Sequence, residues 1–351
     1  MAKLIKVDSE FKKKVRIYKR YLYKVKDRCD HFDVAQKNLS VSGSELVRDR
    51  LGFINQITSK VFPRIDNHYN EMWDILRTSC DFDEVSHRKN DSYKIYQEFY
   101  KRQMLEYYIG GKFFAQTIYK PLGYAGDFKV LNFLYAPESS YESSFFQIID
   151  TYTMNIPVSV SVRNRKPYIL SKFSEAIAGK ENTSIMSVAS NAGFEIRAFA
   201  NEKSESSVKM TLVDADPMAL DYVKDKLATI DSPGLTASYI NSNIFDFSED
   251  KFDIQPQDLI YSLGLYDYLK DGLFVRTAKK LYAMLAPGGK LIIGNVSPVN
   301  PSRAYMALVA EWCVIHRSVE ELGRLAQKCG FEKFHVDSDS SGVQLFLVVE
   351  K

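Results

Sequence analysis

The sequence predicts an α/β fold in two parts: an N-terminal helical domain over 1–150, and over 151–351 a mainly parallel seven-stranded sheet ending in an antiparallel hairpin. Three observations predict it. Before about Arg165, apolar residues recur at helical spacing; after it, short β-branched runs alternate with helical stretches; and only Asp337–Gly342 separates the last two runs. Strand–helix alternation implies right-handed crossovers and parallel pairing, whereas so short a link forces antiparallel pairing. A length of 351 residues also exceeds what one hydrophobic core usually organises.

The elements follow in order. Between Lys3 and Asp30 stand eleven Lys and Arg against four acidic residues. Phe11, Val15, Ile17, Tyr18, Tyr21, Leu22 and Val25 interleave with them, which suits one face of a helix. Such a helix reads as a solvated basic element packed by its aromatic side; a membrane-surface or partner-docking segment is the other reading. Leu51, Ile54, Ile57, Val61 and Ile65, then Tyr93, Tyr96, Phe99, Tyr100 and Leu105, extend the helical pattern, with a start near Ser42-Gly-Ser-Glu-Leu and a break at Gly110-Gly111. In Tyr119-Lys-Pro-Leu-Gly-Tyr-Ala-Gly-Asp127, two glycines and a proline suit a fixed loop that can hold Tyr124 for chemistry. Strands are expected at 184–188, 209–213, 236–240, 258–262, 290–294, 334–336 and 343–349, and helices at 194–201, 217–230, 272–285 and 319–329.

Several classes are disfavoured. No run approaches the roughly 18 apolar residues of a membrane span, and no secretory leader pattern opens the chain, so a cytoplasmic location is expected. Cys29, Cys80, Cys313 and Cys329 are widely separated and read as reduced thiols; with five histidines at no ligand spacing, no metal is expected. A net charge of +3 does not by itself imply nucleic acid.

In a doubly wound sheet the ligand lies beyond the carboxyl ends of the strands, beside the first one. There the chain places Ser190, Asn191, Ala192 and Gly193, small residues that allow a cofactor to approach closely, but with one glycine where a dinucleotide loop repeats them. That disfavours NAD more than a phosphate-free adenosyl ligand. Asp214 follows Gly193 by 21 positions, near the roughly 20-residue spacing of a ribose-binding carboxylate, with Ala215 beside it. Capping is the plainer reading, stronger for Asp216 than for Asp214. Asn243 and Ile244 are candidates for an adenine edge and face. Leu263 and Gly264 permit close approach, and Tyr266 or Asp267 could face a substrate, although Asp267 could equally cap a helix.

Asp214, the turn Ala286-Pro-Gly-Gly289 and the terminal hairpin together resemble class I S-adenosylmethionine-dependent methyltransferases, with their Rossmann-like fold, across about 166–351. Lys120-Pro-Leu-Gly-Tyr-Ala-Gly-Asp127, Val162-Arg-Asn-Arg165, Leu263-Gly-Leu-Tyr-Asp-Tyr-Leu269 and Gly294-Asn-Val-Ser-Pro298 resemble a narrower bacterial group, the 3-hydroxypalmitic acid methyl ester biosynthesis methyltransferases, across about 115–351. The resemblance implies S-adenosyl-L-methionine as cofactor and a small-molecule acceptor, a fatty or other organic acid. Arg163 and Arg165 could position its carboxylate with paired donors and Tyr124 with its phenol; one of the arginines could instead hold the cofactor's carboxylate or a structural ion pair. Tyr124, Arg163, Tyr266 and Asp267 are the catalytic candidates, and the helical domain is expected to cap the substrate. The Asn/Asp-Pro-Pro-aromatic motif of DNA amino methylation is missing, so nucleic acid is a weaker acceptor. A non-catalytic nucleoside-binding or scaffold protein of the same fold is the alternative.

Overall fold

A computed structural model describes residues 6–38, 43–80, 91–120, 126–136, 140–202, 206–247 and 249–351. The chain forms two compact units that interleave in sequence: Met1–Gly126, Ala136–Ser159 and Pro301–Cys313 make one, and Asp127–Tyr135, Val160–Asn300 and Val314–Lys351 the other. The division is therefore not the single cut expected near residue 150. A stretch at 301–313 returns to the first unit because Ala304, Tyr305, Met306, Ala307 and Leu308 are all buried there, a pattern without the periodicity that announces a helix. Among the described residues, no helix is long and apolar enough to cross a membrane.

Among the described residues, the regular elements of the first unit are all helices. Numbering helices in chain order across the molecule, it holds α1 (Ser9–Lys37), α2 (Gly43–Ser79), α3 (Asp91–Met104), a 3-10 turn (Leu105–Tyr107), α4 (Lys112–Tyr119), α6 (Ser144–Asn155) and α12 (Arg303–Leu308). Asp8 starts α1 by accepting the N–H groups of Glu10 and Phe11 at 2.7 and 3.3 Å. Phe11, Val15, Tyr18, Leu22 and Cys29 bury one side of α1 among α2, α3 and α6, while Ile17 stays exposed.

At the centre lies a chain of buried phenols. Tyr18 Oη meets Tyr108 Oη at 3.3 Å, Tyr108 meets Tyr69 at 2.6 Å, Tyr69 meets Tyr100 at 2.7 Å, and Tyr100 meets His68 Nε2 at 3.1 Å. Four links are served by four hydroxyl protons only if every proton points toward His68; the reverse order leaves the Tyr18 proton without an acceptor. His68 Nε2 is then an acceptor on a neutral ring, in keeping with burial, which drives its pKa down to about 3. Tyr305 of α12 closes the cluster, edge-on to Tyr69 at 4.8 Å and hydrogen-bonded to Thr153 at 2.5 Å.

The second unit is a covered sheet. Its strands are β1 (Asn182–Val188), β2 (Ser207–Asp214), β3 (Leu235–Asn241), β4 (Gln257–Ser262), β5 (Leu285–Val296), β6 (Lys333–Ser338) and β7 (Gln344–Glu350). Around them lie α5 (Phe128–Tyr135), most of α7 (Pro157–Ile177), α8 (Phe194–Asn201), α9 (Pro217–Ala228), α10 (Glu249–Phe252), α11 (Asp271–Ala283) and α13 (Val319–Cys329). The order is β3-β2-β1-β4-β5-β7-β6. The first five strands are parallel, and β7 runs antiparallel to both β5 and β6. The fold is thus the Rossmann-like one the pattern predicts, with β7 inserted and β6 at the edge. The expected turn at Ala286-Pro-Gly-Gly289 falls inside β5 as a break in register: Gln257 pairs with Leu285, but Leu259 pairs with Lys290.

Burial on both faces explains why the parallel strands read as nearly continuous apolar runs. One face packs Ile185, Met210, Leu212 and Leu259 with Ile169 and Phe173 of α7 and Ile196 of α8; the other packs Met186, Val188, Ile260 and Ile293 with Phe274 of α11 and Leu322 of α13. Ser318 and Glu321 form a capping box at the start of α13, and Gly330 ends it in the left-handed conformation.

Candidate cofactor and acceptor site

The strand order reverses direction at β1, with β2 on one side and β4 on the other, which opens a crevice above the β1 end. The loop there is strained. Ala189, Asn191 and Gly193 have φ of 55°, 50° and 55°, and the left-handed region costs a residue with a Cβ about 1–2 kcal/mol. Such strain persists only where the surroundings impose it, and it concentrates at functional sites. Here Ser190 N–H donates to the Val213 carbonyl at 3.3 Å and Gly193 N–H to the Ser190 carbonyl at 3.0 Å. A Cβ on Gly193 would also lie 3.0 Å from Val223 Cγ1 on α9.

Ala192 corrects one expectation for this loop. The sequence places it among the small residues that line the cofactor's path, but the structure buries it completely. Its N–H is also committed, donating to Asn191 Oδ1 at 2.8 Å. Left-handed turns on either side, at Asn191 and Gly193, fold Ala192 into the protein between them, so it shapes the loop and presents no surface to a ligand.

Asp214 is the brace. Its Oδ2 accepts Asn191 N–H at 2.8 Å and its Oδ1 accepts Asp216 N–H at 2.9 Å, so one carboxylate joins the β1 loop to the turn after β2. Burial pushes its pKa up, against the pull of those N–H groups. Each oxygen retains lone-pair capacity for a further donor. Asp216 caps α9 through Met218 N–H at 2.9 Å. Asn241, which the sequence reading passed over, donates to the carbonyls of Asp214 and Ala215 at 3.1 Å each. Asn243 folds the next turn by accepting Phe245 N–H at 3.0 Å, and Ile244 is buried in the core beneath.

Two hydroxyls, Ser190 Oγ in the β1 loop and Ser262 Oγ at the β4 end, are buried without a hydrogen-bond partner. A buried hydroxyl left unpaired costs about 1–3 kcal/mol, so strand ends carrying two of them fit a polar ligand. The small residues and the carboxylate fit an adenosyl group with its ribose hydroxyls.

Beyond β4 the residues engage one another. Asp267, 3% exposed, accepts Val296 N–H at 2.7 Å and lies 3.8 Å from Arg165 Nη2. Burial raises its pKa, and Arg165 is the main opposing influence. Arg165 Nε donates to Gln344 Oε1 at 2.7 Å, and a Cβ on Gly264 would lie 3.6 Å from its Nη1. Tyr266 is wholly buried, its ring edge-on to Phe274 at 4.8 Å, and burial pushes its phenol pKa up. Arg317, absent from the sequence reading, clamps this turn by donating to the carbonyls of Tyr266 and Leu269 and to the side chains of Asn295 and Asp271.

Sequence reasoning also missed Glu195 and Tyr135. Glu195 is buried and accepts the Tyr261 hydroxyl at 3.1 Å; burial raises its pKa. Tyr135 donates to the Val162 carbonyl at 2.6 Å and stacks on Phe194 at 4.2 Å. An acidic residue in the first turn of a helix reads as an ordinary cap, so nothing local marked Glu195. Arg163 is half-buried on α7, and burial lowers its pKa. Asp127 is fully buried and caps α5 through the N–H groups of Lys129 and Val130, both at 2.9 Å. Tyr124 lies outside the described residues. Among the described residues, no group of three or more His, Cys, Asp or Glu is placed to hold a metal ion.

Comparison with known proteins decides the family. A profile of the family described as "putative methyltransferase" matches residues 83–350, about three quarters of the chain. The chain belongs to this family. A search of curated proteins found no match. In structure, this methyltransferase is similar to a Bordetella parapertussis protein described as a possible exported protein, at 15% identity over 64% of this chain and 79% of that one, with TM-score 0.54. It is also similar to the N-methyltransferase NodS of Bradyrhizobium japonicum in complex with S-adenosyl-L-homocysteine, at 19% identity, 56% and 89% coverage and TM-score 0.39. A Methanosarcina mazei S-adenosylmethionine-dependent methyltransferase matches at 15% identity, 49% and 93% coverage and TM-score 0.39. The likeness to the Bordetella protein is one of fold.

Proposed function

We propose that this methyltransferase transfers a methyl group from S-adenosyl-L-methionine to the carboxylate of a small organic acid, fatty acids included. The observation that carries the reading is the Asp214 carboxylate, holding the strained β1 loop beside the unpartnered Ser190 hydroxyl. When bound, the cofactor supplies a methyl group on a positively charged sulfur. Asp214 accepts its ribose hydroxyls, Asn243 meets the adenine above the buried Ile244, and Ser190, Asn191 and Gly193 with Ala215, Leu263 and Gly264 line its path.

The choice of a carboxylate rests on which groups can serve as a base. An amine or hydroxyl acceptor must lose a proton, whereas a carboxylate is already ionised near neutral pH. Asp267 is committed to Val296 N–H and Arg165, and Tyr266 is buried with its phenol pushed further from ionisation. Both are engaged inside the protein, so both act as positioning residues. Arg163 orients the acceptor carboxylate. The narrower sequence resemblance supports an acid. No disulfide joins Cys29, Cys80, Cys313 and Cys329, which supports a reducing, cytoplasmic setting.

The test supplies methyl-labelled S-adenosylmethionine and a panel of carboxylic acids, with 3-hydroxy fatty acids among them. Methyl esters release labelled methanol in mild base. Base-stable product would reject the carboxylate, and no calorimetric binding of the cofactor would reject the whole reading.

A further inference from the structure

We propose that the outer face of α1 docks the protein onto an anionic lipid surface. One side of this 29-residue helix is filled by Phe11, Val15, Tyr18, Leu22 and Cys29, all buried in the helical unit. At about 100° per residue, the opposite side carries Lys13, Arg16, Arg20, Lys24 and Arg28, all exposed. They follow one another at intervals of three or four residues and form a straight stripe about 22 Å long. Asp27 is the acid within that stretch of the face, and Lys13 also pairs with Glu10 at 3.6 Å.

Apolar groups stand out of the same face. Ile17 is 55% exposed and Tyr23 62%, each between cations of the stripe, and Val34 follows at 60%. Exposed single apolar residues are ordinary, but half of the ten large ones described lie on α1 and α2. Cations draw a helix to anionic headgroups, and protruding aliphatic and aromatic side chains enter the boundary beneath them. A nucleic acid would meet the cations equally well but offers no apolar layer for Ile17 and Val34. An acidic protein is the other partner the charge admits, and the test below separates it.

The full-length protein is sedimented with vesicles of phosphatidylcholine alone and with added phosphatidylglycerol, at low and physiological salt. We expect retention on the anionic vesicles only, weakening with salt. Arg20→Glu with Lys24→Glu should reduce retention at least about tenfold, and circular dichroism should confirm that these exposed substitutions leave the helices intact. Ile17→Ser with Tyr23→Ser should weaken retention while leaving its salt dependence in place. Equal retention on neutral vesicles, none on anionic ones, or retention indifferent to the charge reversal would overturn the proposal. Loss of methyl transfer has no bearing on this readout, so the two readings fail separately.

Discussion

Replacing Asp214 with alanine separates the bracing role seen in the structure from the ribose-binding role proposed for the same carboxylate. In the structure its oxygens accept Asn191 N–H at 2.8 Å and Asp216 N–H at 2.9 Å, and the side chain is 8% exposed. Removing it leaves two backbone donors without their acceptor, each costing about 1–3 kcal/mol when shielded from water. A total loss of about 2–4 kcal/mol in stability follows, since some water enters the space vacated. Ribose hydroxyls lose charged acceptors as well, worth about 1.5–3 kcal/mol, or about ten- to hundredfold in affinity. Asparagine repairs only half of this, because its amide oxygen serves one N–H and its NH2 group confronts the other. Urea denaturation reads the first role, and calorimetric titration with S-adenosylhomocysteine reads the second. A folded Asp214→Ala protein binding within twofold of the parent would refute the ribose assignment. Unchanged stability would refute the brace.

Three further outcomes are expected. Gly193→Ala should destabilise by about 1–2 kcal/mol through its left-handed φ, and by less in a Val223→Ala background, which already lacks the contact at 3.0 Å; thermal melts in a double-mutant cycle read the difference. Tyr69→Phe breaks two links of the phenol chain and strands the Tyr108 proton; a loss of about 1–3 kcal/mol in urea is expected, and a loss under about 0.5 would show that the buried chain adds no net stability. Asp150 accepts Lys112 N–H at 2.7 Å and the Tyr141 hydroxyl at 3.0 Å, and burial lifts its pKa from 3.8 to about 6. Because folding raises this pKa, the folded state holds the proton more tightly. Its contribution is therefore fullest below about pH 4 and is lost as pH rises through about 6. Asp150→Asn should accordingly gain stability relative to the parent as pH rises from about 3 to about 7, by up to about 3 kcal/mol; a constant difference would exclude the shift.

The sheet was legible because burial on both faces forces short β-branched runs, and a six-residue link admits only one pairing sense. Helices at 194–201 and 319–329 were bounded by plain punctuation, with Gly193 before one and Gly330 after the other. Less visible were features made by contact across long separations. Asp214 was recognisable from its spacing, but its bond to Asn191 depends on how β1 and β2 pair. The glycine-poor loop gave no hint that Ala189 and Asn191 adopt the conformation glycine usually provides, nor that Ala192 turns inward between two such residues. Asn tolerates that conformation better than most residues, and this was the faint signal available. The Arg317 side chain reaches Asn295, 22 positions away, and Gln344 reaches Asn295 and Arg165, 49 and 179 positions away, beyond any local pattern.

The interleaving of the two units bears on how the chain is made. It passes from one unit to the other five times. On the ribosome, α1 to α6 emerge first, yet Tyr305, which packs on Tyr69 in their core, leaves the exit tunnel only after β1 to β5 have been synthesised. The helical unit thus waits through most of translation with part of its core uncovered, a period in which exposed apolar surface invites aggregation. A nascent chain stalled before residue 300 should engage chaperones through its helices, whereas one released beyond residue 313 should not.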